Sequence, residues 1–224
     1  MSPYLDCLEI EPVQEPQSGT VIWLHGLGAN GHDFEPIVPM LDQPRARFIF
    51  PHAPESPVTI NMGMVMPSWY DIVTLEEVPG RENAEHILSS AQRIRELIAR
   101  ENERGVPTSD IVLGGFSQGG ALSLYVALRY PESLRGIMAL SSYLILADNL
   151  DSEAHRANRD TPVLCCHGTH DPLVGCNRGR GAHDAVHDLS PSRAIQWHEF
   201  PMGHEVCPAE IETIRGWFGE RFGP

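Results

Sequence analysis

Short apolar runs alternate with amphipathic stretches along the whole chain. The runs at 20–25 (TVIWLH), 47–50, 111–115, 136–141 and 162–167 are apolar at almost every position, which predicts β-strands buried on both faces. Residues 194–200 predict a further strand. Between the strands the apolar spacing changes to three and four. Ala84, Ile87, Leu88, Ala91, Ile94 and Ile98 fall on one face of a helix over 82–104. A second helix is expected over 119–130, stopped by Pro131. A third opens at Pro208 and carries Ile211, Ile214, Trp217, Phe218 and Phe222. Strand and helix in alternation imply right-handed crossovers and an α/β fold, a mostly parallel central sheet with helices on both faces. Over 51–79 the pattern breaks, and five prolines interleave with aromatics and methionines. That segment is too irregular for a helix and too apolar for a flexible linker. It reads either as a binding wall or as a packed surface loop.

The chain of 224 residues suits a single domain over 1–224, long enough to bury a core without disulfides or metals. Its 16 basic residues against 30 acidic ones give a net charge of −14, and every basic residue is an arginine. A surface this acidic repels phosphate backbones and anionic headgroups. Nucleic-acid partners and stable membrane association are therefore not expected. The absence of lysine excludes a Schiff-base lysine, lysine-bound pyridoxal phosphate and a P-loop. The five cysteines are odd in number and form no CxxC, so they read as free thiols in a reducing compartment. The first residues show no signal peptide, and no apolar run approaches the ~20 residues that span a bilayer. A cytoplasmic protein is the expectation.

Gly115-Phe116-Ser117-Gln118-Gly119 is a GxSxG motif placed directly between a predicted strand and a predicted helix. A serine there sits on a tight turn above the sheet, with the helix N-terminus behind it. A serine nucleophile needs a base, and the base an orienting acid, in the chain order Ser, acid, His. Asp171 follows the strand at 162–167, and His204 follows the strand at 194–200. Both thus fall on loops at the same sheet edge as Ser117. The oxyanion of a tetrahedral intermediate needs two N–H donors. Gln118, the residue after the nucleophile, supplies one, and Leu27 in the early loop His25-Gly26-Leu27-Gly28 supplies the other. Among the remaining histidines, His167 reads as a hydrogen-bonded structural residue.

Two other patterns carry less. Gly26-Leu27-Gly28-Ala29-Asn30-Gly31 fits GxGxxG, but the next strand ends in Pro51-His52, without the acidic residue a ribose would need. His183 and His187 have HxxxH spacing but no third ligand in view, so an incidental pair on a solvated helix is preferred to zinc.

The motifs WLHGLGANGHDF (23–34), PSWYDI (67–72), GGFSQGGAL (114–122), HGTHDPLV (167–174) and PMGHEV (201–206) resemble the phospholipase/carboxylesterase family of α/β-hydrolases, nearly end to end. That family includes bacterial carboxylesterases and acyl-protein thioesterases. The resemblance implies the same triad (Ser117, Asp171, His204) and the same oxyanion donors (Leu27, Gln118). It also implies an acyl pocket near Met62, Leu75, Tyr143 and Leu173, and a possible homodimer. Asn30 stands where bacterial members often have Asp, and Val174-Gly175 where Val-Pro is common.

The expectation is a serine carboxylesterase acting on short- to medium-chain esters of small molecules through an acyl-enzyme, with no cofactor. The interval between the strands at 136–141 and 162–167 is too short for a cap domain, so an open site is expected. The alternative is an acyl-protein or small-molecule thioesterase, or a lysophospholipase, with the same triad. A non-catalytic binding module is a remote third reading, since no triad member is missing.

Overall fold

The computed structural model describes residues 4–74, 76 and 78–223. Its strands are β1 (Cys7–Ile10), β2 (Gly19–Leu24), β3 (Ala46–Pro51), β4 (Glu55–Val58), β5 (Met64–Pro67), β6 (Ile111–Phe116), β7 (Gly136–Leu140), β8 (Val163–Gly168) and β9 (Ile195–Phe200). Seven of them form one sheet in the order β1-β3-β2-β6-β7-β8-β9. Every neighbouring pair in it is parallel except β1 with β3.

Strand alternation sorts the apolar runs onto two cores. Ile22 and Leu24 of β2 join Ile49, Leu113, Ile137 and Val163 on one face. Val21 and Trp23 join Phe48, Val112, Met138 and Leu164 on the other. Both sets are buried because helices cover both faces. On the first face lie α1 (Ala84–Glu103), α2 (Gln118–Arg129) and α4 (Cys176–Leu189). On the second lie α5 (Pro208–Phe222) and a 3-10 helix over Glu35–Leu41. The Asn83 side chain caps α1 by accepting from the His86 N–H. Residues 118–128 of α2 are all buried, since this helix is wedged between sheet and α1.

The predicted strands and the three predicted helices are present, with ends shifted by one or two residues. Three features go beyond the predicted elements. β1 adds an antiparallel edge, and α4, of which only the His183–His187 stretch was expected to be helical, runs on from the Asp171 loop. The segment 51–79 folds back as an antiparallel hairpin, β4 with β5, outside the main sheet. Between β7 and β8 there are only short helical turns, including α3 (Leu150–Glu153). Among the described residues, no helix is long and apolar enough to cross a membrane.

Candidate active site

Ser117 occupies the turn from β6 into α2 with φ 54° and ψ −121°. Positive φ is strained for a residue with a side chain, and here the surrounding hydrogen bonds enforce it. The Ser117 N–H donates to the Leu140 carbonyl at 2.8 Å, and the Ser142 hydroxyl donates to the Ser117 carbonyl at 2.9 Å. The sharp turn also presses α2 onto β2. A Cβ on Gly119 would lie 2.4 Å from the Leu24 carbonyl oxygen, so only glycine fits there.

Two further loops converge on this hydroxyl. His204 Nε2 is 2.9 Å from Ser117 Oγ, and His204 Nδ1 is 2.6 Å from Asp171 Oδ2. The other oxygen, Asp171 Oδ1, accepts the Leu173 and Val174 N–H groups at 2.9 Å each. The carboxylate is thereby fixed in a buried position and aimed at the imidazole. The two loops are tied by main-chain bonds: Thr169 N–H donates to the Phe200 carbonyl at 2.8 Å, and His170 N–H to the Met202 carbonyl at 3.1 Å. The Phe116 ring packs on His204 with centroids 4.7 Å apart. In chemical terms this is a hydroxyl, a base positioned to take its proton, and a carboxylate holding the base in one tautomer.

The loop carrying Leu27 lies against the nucleophile, since a Cβ on Gly26 would be 3.5 Å from Ser117 Cβ. Gly28 N–H is committed to the Pro67 carbonyl at 2.9 Å and Ala29 N–H to the Gly26 carbonyl at 3.2 Å, so neither of these amides is open to an oxyanion. His25 braces this loop from below. Its Nδ1–H donates to the Gly26 carbonyl at 2.7 Å, and its Nε2 accepts the Ala53 N–H at 3.0 Å. Burial drives its pKa down to about 4, opposed by the Gly26 hydrogen bond, so the ring is neutral and its tautomer fixed. Gln118 opens α2, where helix N–H groups have no partner within the helix. Its buried side chain bonds to the next segment: Nε2 donates to the Tyr70 carbonyl at 2.7 Å and Oε1 accepts the Trp69 N–H at 2.9 Å.

A sequence model of the phospholipase/carboxylesterase family matches residues 5–218. The chain belongs to the phospholipase/carboxylesterase family. It is 38% identical to acyl-protein thioesterase 1 of Cryptococcus neoformans over 98% of its own length and 99% of that protein. To acyl-protein thioesterase 1 of Yarrowia lipolytica it is 36% identical, over 93% and 94% of the two chains. Among solved structures, acyl-protein thioesterase 2 of Zea mays superimposes with a TM-score of 0.82 at 27% identity, covering 98% and 100%. The chain is a hydrolase with the α/β-hydrolase fold of this family.

The acyl-pocket residues suggested by the family pattern do not share one environment. Met62, at the turn of the β4–β5 hairpin, is 94% exposed, and Leu173 is 65% exposed beside the triad acid. Tyr143 is only 2% exposed; its hydroxyl meets that of Tyr70 at 2.9 Å, and the Arg178 guanidinium lies 3.6 Å from its ring centroid. Burial raises the Tyr143 pKa further, so it is a neutral core phenol. Leu75 lies outside the described residues. His183 and His187 each sit beside an adjacent aspartate, Asp184 and Asp188. No group of three or more metal-capable side chains is present among the described residues.

Several site residues escaped the sequence reading. Met66 lines the Leu27 loop, its Sδ 3.6 Å from where a Gly28 Cβ would stand. Trp69, Ser142 and His25 act through main-chain carbonyls, which leave no residue-type signature. The PSWYDI motif marked the Trp69 segment without indicating what it does.

Proposed function

We propose that the protein is a serine hydrolase that cleaves acyl thioesters. The observation that carries the serine chemistry is the continuous relay from Asp171 through His204 to Ser117, with contacts of 2.6 and 2.9 Å. Ser117 Oγ attacks the acyl carbonyl while His204 Nε2 takes its proton. The Leu27 and Gln118 N–H groups hold the oxyanion. The intermediate collapses to an acyl-serine, and the departing thiolate takes the proton from His204. Water, activated by the same imidazole, then hydrolyses the acyl-serine and restores the hydroxyl. Asp171 holds the imidazole in place and stabilises the imidazolium.

The choice of thioester over oxyester is supported by the two acyl-protein thioesterases of 36% and 38% identity that match over nearly the whole chain. This departs from the oxyester preference expected of the sequence alone, although the same machinery accepts both bonds. Parallel kinetics on an oxyester and a thioester with the same acyl chain test the choice. A clearly higher kcat/KM for the thioester supports it. An equal or higher value for the oxyester returns the protein to the carboxylesterases.

A further inference from the structure

His167, the penultimate residue of β8, is 1% exposed and takes no part in the mechanism above. Its Nε2 lies 2.8 Å from the Val174 carbonyl, which requires the Nε2–H tautomer. The same nitrogen is 3.7 Å from Asp171 Oδ2, the oxygen that receives His204. That second distance is too long for a hydrogen bond but short for an electrostatic contact in a site closed to water. Val174 is therefore held at both ends of its peptide groups. Its N–H points to Asp171 Oδ1 and its carbonyl to His167.

The ring itself is tightly seated. It stacks on Trp197 of β9 with centroids 5.8 Å apart and planes at 22°. From α4, a Cβ on Gly179 would lie 2.2 Å from His167 Nδ1, so only glycine permits this helix to close over the ring. Arg180 and His183 of α4 pack on Trp197. Asp171, His204 and Glu199 are the titratable groups that act on the ring. Burial, with His204 acting in the same direction, outweighs the Val174 hydrogen bond and the Asp171 and Glu199 carboxylates and lowers its pKa, keeping it a neutral donor at neutral pH.

We propose that His167 is a positioning residue of the triad, whose Nε2–H fixes the turn from Asp171 to Val174 and so sets the carboxylate against His204. This rests on the serine-hydrolase reading. The hydrogen bond to Val174 is the shorter of the two contacts, so losing the donor displaces the carboxylate. A displaced carboxylate supports the imidazolium less well, and His204 then loses its proton at lower pH.

The test compares His167→Leu, which removes the donor, with His167→Gln, which keeps a side-chain N–H. His167→Leu is expected to lower kcat about 10- to 100-fold, the scale of a small misplacement at a catalytic group, with KM unchanged. It should also move the acid limb of kcat/KM to lower pH. His167→Gln should restore most of both. If His167→Leu does not fold, His167→Asn, whose shorter amide falls short of Val174, should show the same pair of changes. Undiminished kcat overturns the proposal. So does a loss of kcat with an unmoved acid limb, or one that His167→Gln fails to restore. Fluorophosphonate labelling of the wild-type protein reports separately on the serine reading. An unlabelled Ser117 overturns that reading, whereas labelled Ser117 with indifferent His167 variants overturns only the role of His167.

Discussion

The Trp69 indole N–H donates to the main-chain carbonyl of His25 at 2.9 Å, across 44 residues of sequence. The two rings also pack at a centroid distance of 5.1 Å. His25 begins the loop that carries Leu27, and Trp69 is itself bonded to the Gln118 side chain. Through its indole N–H and its own main-chain N–H, Trp69 thus joins the segments of the two proposed oxyanion donors.

Trp69→Phe keeps an aromatic ring but deletes the donor and the indole's second ring, leaving the His25 carbonyl buried without its partner and a cavity beside it. The orphaned acceptor alone is expected to cost about 1–2 kcal/mol in stability, and the cavity adds to it. A fall in kcat should accompany it as Leu27 loses its brace. Urea unfolding and steady-state kinetics on the variant check both, and unchanged kcat would show that the loop holds its shape without the indole.

His25 gives the protein an acid-sensitive element. Its folded pKa of about 4 lies below its ordinary value of 6.5. Above pH 6.5 the ring is neutral in both states and carries no penalty. As pH falls from 6.5 to about 4, the unfolded chain takes up a proton that the folded chain refuses, so stability declines. The full loss from this residue is about 3 kcal/mol. His167, whose pKa is also lowered by burial, adds to the decline with the same sign. His25→Asn cannot protonate and should flatten the fall of Tm between pH 6.5 and 4.5; an equally steep fall would place the sensitivity elsewhere.

Glu210 acts in the opposite direction. It lies in the first turn of α5, just beyond the His204 loop, and is 0% exposed. Neither carboxyl oxygen has a hydrogen-bond partner among the described residues. Burial raises its pKa from 4.5 to about 8, with the Cys207 main chain, close by but short of hydrogen-bond geometry, pulling weakly the other way. Between those two values the folded state keeps a proton that the unfolded state has released. Stability therefore falls as pH rises from 4.5 to 8 and levels off above. Glu210→Gln, neutral at every pH, should raise Tm at pH 8 and change it little at pH 5. The ceiling on the gain is about 5 kcal/mol. No gain at pH 8 would mean the carboxylate is solvated or paired in solution.

The central strands were legible because both of their faces are buried, so almost every position of β2, β6 and β8 is apolar or glycine, Thr20 and His167 excepted. β1 was not, because Cys-Leu-Glu-Ile at a half-exposed edge shows neither a continuous run nor a clean alternation. The β4–β5 hairpin hides in a proline-rich stretch whose strands face solvent rather than a core. α4 buries only Gly179, Ala182 and Val186, small residues that leave no wide apolar stripe. Ser117, Asp171 and His204 were legible from chain order, since each follows a strand. The acyl-pocket residues came only from the family pattern: Met62 and Leu173 are exposed and Tyr143 is buried, so the described ones do not form one wall.

The central claim is that Ser117 carries the acyl group. Intact-protein mass spectrometry with peptide mapping after fluorophosphonate treatment tests it most directly. The account predicts one adduct, on Ser117, absent from Ser117→Ala, which should fold normally and lose all but background hydrolysis. An adduct on another residue, or a Ser117→Ala protein that keeps more than a few per cent of its activity, would contradict it.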